Sequence, residues 1–406
     1  MKILCFGEIL WDVYPDRQTI GGAPYNVAAH IFKLGGESYI LSGLGEDELG
    51  LRAMEKVKGL GVKTDFIKTD KLHPTGTAVV TMDERAVPTF TITADTAYDN
   101  VTVTDEDITA IKAGDFDMFY FGTLAQKGEV SRKSVMRVLS ECSFREVFFD
   151  INLRKPFYTE EVIASSLPHA TILKINDDET ALVGKMIFGL EGEENIIPAI
   201  FGKYEKIHTI LVTKGPDGAR VYHKDGSGTA HYDMNYCVSK AVDTVGSGDA
   251  FSAGFIISYL RGDGIEKAGK IGNIMGDFVA SQRGAIPDYD EKRLLQDRPL
   301  LTEEGIHGGT GAVNIIPLGS PDVFAGRAGS FSDRRLQPHS SIGVHRHVND
   351  ADIYYIISGL GFYYDNGTEV PARPGDLFIC GPGEEHGLRN DSDEELRYIA
   401  IGIKYS

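Results

Sequence analysis

Short uninterrupted apolar runs alternate with stretches of helical period along the first three quarters of the chain. Ile3 to Phe6 is the first such run, closed by Gly7-Glu8, the pattern of a strand buried on both faces, and Asp12 lies just past its end. Val27, Ala28, Ile31 and Phe32 then share one face of a predicted helix that Gly35-Gly36 stops. Thr75 to Asp99 holds two short alternating segments about a polar turn and reads as a hairpin. Beyond Met118, the runs Met118 to Phe121, Val147 to Phe149, Ile172 to Ile175 and Ile210 to Val212 are separated by helical stretches. Such alternation predicts an α/β domain, its mostly parallel sheet covered by helices on both faces. Ligand groups in that architecture belong just beyond the carboxyl ends of the strands. A last helix is predicted from Ala250, with Phe251, Phe255 and Tyr259 on its buried side.

The pattern changes after Glu291. The chain becomes charged and then glycine-rich through Gly308-Gly309-Thr310-Gly311, with Pro299 on the way, as an interdomain linker tends to be. Residues 312–406 carry short β segments separated by turns such as Asp365-Asn366-Gly367, with no long helix, which predicts a small all-β barrel or jelly roll. The reading is therefore two domains, 1–295 and 312–406, joined by a linker at 296–311. A chain of 406 residues is long enough for both.

The formal net charge of −18 disfavours nucleic acid, whose binding needs a basic surface to displace counterions. Met1 to Trp11 carries too short an apolar run for a signal peptide and no stretch reaches membrane-spanning length, so a cytoplasmic protein without a membrane partner is expected. Cys5, Cys142, Cys237 and Cys380 are scattered with no Cys-x-x-Cys pair, which fits reduced thiols.

Chemistry concentrates in Asp243-Thr244-Val245-Gly246-Ser247-Gly248-Asp249, a turn of small residues leading into the last helix. Gly246 and Gly248 remove Cβ atoms, so that backbone N–H groups and the positive end of the helix can converge on a phosphate. Asp249 would repel that phosphate, and its presence points to a base that takes a proton from a hydroxyl beside a transferring phosphoryl group. No Gly-x-x-x-x-Gly-Lys-Ser/Thr sequence occurs, which excludes a P-loop enzyme.

The stretch Asp243 to Gly254 resembles the C-terminal signature of the ribokinase-type (PfkB) carbohydrate kinases, with Ser247 in place of the commoner Ala. Gly21-Gly22-Ala23-Pro24-Tyr25-Asn26 resembles their N-terminal Gly-Gly-x-x-x-Asn. The resemblance implies a sugar facing Asp12, Gly22 and Asn26, under a small β lid that often pairs with another subunit's lid, hence a homodimer. Asp150-Ile151-Asn152-Leu153-Arg154 is similar to the family's Asp-Pro-Asn-x-Arg, with Ile151 for proline, and places Arg154 at a sugar hydroxyl or phosphate. Asn176-Asp177-Asp178-Glu179 is similar to Asn-x-x-Glu, implying Mg²⁺ beside ATP through Asn176 and Glu179, although the same spacing is an ordinary helix-start cap. Thr213-Lys214-Gly215-Pro216-Asp217-Gly218 resembles Thr-x-Gly-x-x-Gly, which assigns Thr213, Gly215 and Gly218, with Gly246, Ser247 and Gly248, to the nucleotide. Asn273 borders the adenine by the same token. The resemblance covers roughly 1 to 295 and implies a ribokinase-like enzyme, most like fructokinases, with Asp249 as the base. Ribose, a nucleoside or a keto-acid sugar stay open as substrates, as does sugar sensing without turnover.

In the last hundred residues His345-x-His347 has strand spacing, which aims both imidazoles at one face. With Asp352, Gly359, Gly375, Gly383, His386 and Asn390, the stretch resembles the two cupin motifs, departing in Asp352 for Glu and Gly381 for proline. That resemblance implies a divalent transition metal on His345, His347, Asp352 and His386, its identity open. A metal-free barrel keeping a sugar pocket is the alternative. The roles left open for the barrel are a sugar-phosphate isomerase acting on the kinase product and a ligand-sensing module.

Overall fold

The structure is a computed structural model and describes residues 1–82, 88–234, 241–289, 301–319 and 327–405. Cys237 and the part of the predicted linker at 296–300 lie outside them. The chain forms two compact units, Met1–Leu295 and Gln296–Ser406.

The first unit is built on a nine-stranded sheet. Its parallel strands are β1 (Lys2–Phe6), β4 (Glu37–Gly45), β5 (Ile67–Asp70), β8 (Met118–Gly122), β9 (Glu146–Asp150), β10 (Ile172–Asn176) and β11 (Thr209–Thr213); β12 (Ala219–Asp225) and β13 (Gly228–Met234) extend one edge antiparallel. The strand order is β13-β12-β11-β10-β9-β8-β1-β4-β5. Its central strands are apolar on both sides because separate cores pack on the two faces, one around Phe119, Phe121 and Phe149, the other around Tyr120, Phe148 and Phe255. Each fully buried phenylalanine of this kind contributes about 1.5–3 kcal/mol.

A four-stranded lid, order β3-β2-β6-β7, is made of β2 (Leu10–Val13), β3 (Gln18–Gly21), β6 (Gly76–Met82) and β7 (Pro88–Ile92). Helix α1 (Ala23–Lys33) leaves the lid and packs on the sheet. Phe32 departs from the predicted buried face: it is 42% exposed and lies over Gly61, where a Cβ would come within 2.3 Å of the ring. Between the strands run α2 (Glu48–Leu60), α3 (Asp105–Gly114), α4 (Glu129–Glu141), α5 (Glu160–Ser166), α6 (Asp177–Val183) and α7 (Glu193–Lys203). Helix α8 (Ser247–Arg261) starts at Ser247 rather than at Ala250, because Gly246, at φ 79, already turns the chain into helix, and Gly262 at φ 84 ends it. Helix α9 (Ile265–Ala280) packs alongside.

The second unit is two antiparallel sheets. One has the order β14-β15-β16-β23-β18-β21, from β14 (Leu301–Glu304), β15 (Ala312–Gly319), β16 (Ala328–Leu336), β18 (Asp350–Ser358), β21 (Leu377–Cys380) and β23 (Leu396–Lys404). The other is β17-β22-β19-β20, from β17 (Ser340–Arg346), β19 (Gly361–Asp365), β20 (Thr368–Ala372) and β22 (Glu385–Asn390). Leu336, Ile342, Ile356, Leu388 and Leu396 fill the space between them. The stretch read as linker is corrected here: Leu301–Glu304 pairs with β15, in the register Leu301 to Ile315, and so belongs to the barrel.

Candidate active site and metal centre

A cavity of about 610 Å³ opens at the carboxyl ends of β1, β10 and β11, under the lid. Asp12, Gly22, Asn26, Arg154, Asn176, Glu179, Thr213, Gly215, Gly246, Ser247, Gly248 and Asp249 all line it, so most of the predicted residues are brought together from far apart in sequence. Gly218 and Asn273 do not line it. Gly218, at φ 81, would drive a Cβ into the Met234 carbonyl, and Asn273 is buried on α9 beside it, so a nucleotide would have to extend beyond the cavity to reach them.

The phosphate end is the start of α8. No side chain caps this helix, which leaves first-turn N–H groups without intrahelical acceptors at the end where the helix dipole favours an anion. A Cβ on Gly246 would lie 2.7 Å from Cα of Ala285, and one on Gly248 would lie 3.4 Å from Nζ of Lys174. Lys174 is a cavity residue that motif spacing missed. Its ammonium donates to Asp150 at 2.9 and 3.0 Å, and Tyr120 donates to the same carboxylate at 2.8 Å. Burial opposes the charge on Lys174, yet Asp150 outweighs it and holds the pKa above its usual value. An apolar strand such as Ile172 to Asn176 with one inward lysine is the signal that could have revealed it.

Asn176 and Glu179 form the helix cap that their spacing also allowed. Asn176 Oδ1 accepts from the Glu179 amide at 2.8 Å, while Glu179 accepts from Asn176 at 2.9 Å and from Leu153 at 2.6 Å. Both Glu179 oxygens thus already serve backbone donors, and a cation here would be reached most simply through its own water shell.

The lid end is acidic. Asp249 accepts from Asn26 Nδ2 at 2.8 Å, and burial pushes its pKa up to about 6 against the pull of that hydrogen bond and of Lys174. Asp12 stands on lid strand β2, and burial raises it to about 6 although the Arg154 charge pulls it down. Glu8, unread in the sequence, is raised by burial to about 7 and accepts from the Ala23 amide at 3.2 Å. Gly22, at φ 110, is required because a Cβ there would sit 2.3 Å from the Glu8 carbonyl oxygen. The Asn26 Oδ1 atom is buried with no hydrogen-bond partner among the described residues, an acceptor aimed where a hydroxyl would satisfy it.

In the second unit, His345, His347, Asp352 and His386 bring one ligand atom each to within 4.8 Å of one another. His345 lies on β17 opposite His386 on β22, whereas His347 falls just past the strand end. Nε2 of His386 is 3.0 Å from Nε2 of His347 and 3.1 Å from Nε2 of His345; Asp352 Oδ2 is 3.8 and 3.9 Å from the His386 and His347 nitrogens. The Nδ1 atoms are engaged elsewhere, with the Gly343 carbonyl, Asp350 and the Tyr363 hydroxyl. That arrangement orients every imidazole with Nε2 inward, as metal ligands require. Burial, then the neighbouring imidazoles, pushes His386 down to about 3 and keeps it neutral. The donor set fits a divalent transition metal, and the shorter Asp352 carboxylate lies within the same 4.8 Å group as the three imidazoles. His307, from the stretch read as linker, stacks on His345 with ring centroids 3.7 Å apart.

A parallel sheet with a lid, an uncapped helix start and a buried carboxylate beside it define the class: an α/β phosphotransferase acting on a small hydroxyl compound. Residues 3–292 match the pfkB family of carbohydrate kinases, and the chain belongs to that family. It is similar to the probable fructokinase-6, chloroplastic, of Arabidopsis thaliana, 30% identical over 327 residues that span 73% of this chain and 81% of that protein. The crystal structure of an uncharacterized sugar kinase from Pyrococcus horikoshii in complex with ATP aligns with a TM-score of 0.60 at 25% identity, over 70% of this chain and 94% of that one. Residues 333–402 match the cupin domain family. Over 98 residues the chain is 36% identical to an oxalate-binding protein of Thermotoga maritima, covering 24% of this chain and 81% of that protein. Among the described residues no helix is long and apolar enough to cross a membrane.

Proposed function

We propose that the protein phosphorylates a primary hydroxyl of a sugar from ATP, with fructose the first substrate to test, and carries a metal-binding cupin beside the kinase. The observation that carries the kinase reading is Asp249, hydrogen-bonded to Asn26 at the uncapped start of α8. Its carboxylate takes the proton from the sugar hydroxyl as the oxygen attacks the γ-phosphorus and the bond to the β-bridging oxygen breaks, releasing ADP. Asp12, Asn26 and Arg154 hold the sugar in line, with Gly22 giving the lid its close approach. The first-turn amides of α8 at Gly246 to Gly248, with Thr213 and Gly215, hold the phosphates, and Lys174 adds positive charge there. Mg²⁺ would supply charge neutralisation at the phosphates, and Asn176 and Glu179 would hold it through its waters.

The test is ATP turnover across ketoses, aldoses and nucleosides. Fructose phosphorylation is expected, and turnover confined to a nucleoside or an acidic sugar would replace fructose while keeping the kinase. Binding of sugar and ATP with no turnover on any of them would favour a sensor. The protein is expected to be a cytoplasmic homodimer, which light scattering checks for the assembly.

For the barrel, the similarity to an oxalate-binding protein favours a ligand-binding module over a sugar-phosphate isomerase. His345, His347, Asp352 and His386 would hold its metal.

A further inference from the structure

We propose that His30 is a positioning residue for the phosphoryl transfer: from the buried face of α1 it holds the chain at Ala285 against the Gly246 turn, and so fixes the spacing between the sugar end and the phosphate end of the site. This rests on the kinase reading of Asp249 and adds to it a residue that touches neither substrate.

His30 lies one helical turn beyond Asn26 on α1, and both are buried, so one face of the helix carries them side by side. Asn26 reaches Asp249 at the sugar end. His30 reaches the other way. Its Nε2 lies 2.9 Å from the Ala285 carbonyl oxygen and its Nδ1 3.0 Å from the Tyr289 hydroxyl, with the Tyr289 ring stacked on the imidazole at 5.8 Å between centroids. Lys33 then donates to the Pro287 carbonyl at 2.7 Å, so the same side of α1 grips the chain from 285 to 289.

Ala285 in turn seats the phosphate turn. A Cβ on Gly246 would lie 2.5 Å from the Cβ of Ala285, so the two segments are in direct contact. The Asp243 carboxylate fastens them further, accepting from the Val245 amide at 3.0 Å and from the Gly284 amide at 3.1 Å. These contacts close a ring: Asn26 to Asp249, along the first turn of α8 to Gly246, across to Ala285, and back through His30 to α1. Opening the ring at His30 leaves the groups at each end in place and frees only their relative position. In-line attack depends on that position, since a misplacement of about 1 Å can cost about 10²-fold in rate.

The proton on His30 is fixed by its partners. A carbonyl oxygen only accepts, so Nε2 carries the hydrogen and Nδ1 accepts from the Tyr289 hydroxyl. Burial pushes the pKa of His30 down to about 4, against the pull of the hydrogen bond to Ala285, and the uncharged ring has the one donor and one acceptor that this arrangement uses. An apolar ring of the same size would fill the space and make neither bond.

The experiment uses the full chain with ATP and the best-used of fructose, glucose and ribose, and reads kcat and KM separately beside the melting temperature. A Gln carboxamide nitrogen reaches where imidazole Nε2 lies, and an Asn carbonyl oxygen where Nδ1 lies. His30→Asn should therefore keep the Tyr289 contact, lose the Ala285 contact and lower kcat about 10- to 100-fold, with each KM within about threefold of wild type. His30→Gln should recover kcat to within about threefold of wild type. Tyr289→Phe, which keeps the stacked ring and removes only the donor that sets the tautomer, should lower kcat about 3- to 10-fold, the size of one lost neutral hydrogen bond. Unchanged kcat in a folded His30→Asn overturns the proposal, and so does equal slowing in His30→Gln and His30→Asn, which would make His30 a core residue only. If His30→Asn does not fold, unchanged kcat in Tyr289→Phe overturns it instead. A wild type that turns over no sugar overturns the kinase reading beneath, whereas an active wild type with these variants unaffected overturns this proposal alone.

Discussion

Asp249 carries a chemical conflict that sets two expectations. A base must be ionised to accept a proton, and burial lifts its pKa to about 6. The ionised fraction grows as pH rises through 6, so kcat/KM should climb about tenfold per pH unit below that value and level off above it. A profile flat from pH 5 to 8 would remove Asp249 as the base. Asp249→Asn should cut turnover by about 10² to 10⁴ while ATP and sugar still bind. The same burial costs stability. A carboxylate whose folded pKa lies above its unfolded value of 3.8 holds its proton more tightly when folded, so the cost is absent below pH 3.8 and grows as pH rises to 6. Asp249→Asn should therefore raise the melting temperature of the kinase unit at pH 8, by about 2–4 °C for each kcal/mol relieved, and by about a third as much at pH 4.5. Loss of stability at pH 8 would mean that the charge is better solvated than its surroundings indicate.

Among the elements, α8 depends most on a single residue. Gly246 adopts φ 79 and faces Ala285 so closely that a side chain cannot fit. Gly246→Ala should shift the helix start, raise KM for ATP and destabilise the unit by at least about 1 kcal/mol. Retained KM together with a lowered melting temperature would show that the turn is structural and does not set the phosphate site. In the barrel, β17 and β22 present His345 and His386 as a cross-strand pair. Elemental analysis of wild-type protein purified without chelators should find stoichiometric metal, and the His345→Ala and His347→Ala double variant should lose it. Equal metal in both would place the ion elsewhere.

For the whole molecule, each unit has its own core, and the lining residues of the kinase cavity all lie within Met1–Leu295. A fragment ending near Leu295 should fold and phosphorylate the sugar with the kcat of the full chain. A folded fragment that is inactive until the barrel is added back would show that catalysis is shared between the units.

Local pattern alone determined much of this protein. The apolar runs marked β1, β8, β9, β10 and β11, and small residues before a helix marked the phosphate end, because periodicity and backbone freedom are properties of neighbouring residues. The motif resemblance brought Asp12, Asn26 and Asp249 into one reading. Only tertiary structure decided what each would touch. Asn26 meets Asp249 across 223 residues of chain, Lys174 finds Asp150 across a strand pair, and burial from all sides sets the charge of Glu8. Phe32 obeys the helical period yet meets solvent, since Gly61 leaves it a seat outside the core. In the barrel, spacing announced the two histidines, but closure of the sheets decided that His307 stacks on His345. Spacing along one strand fixes which side a residue takes, and packing between strands decides what waits there.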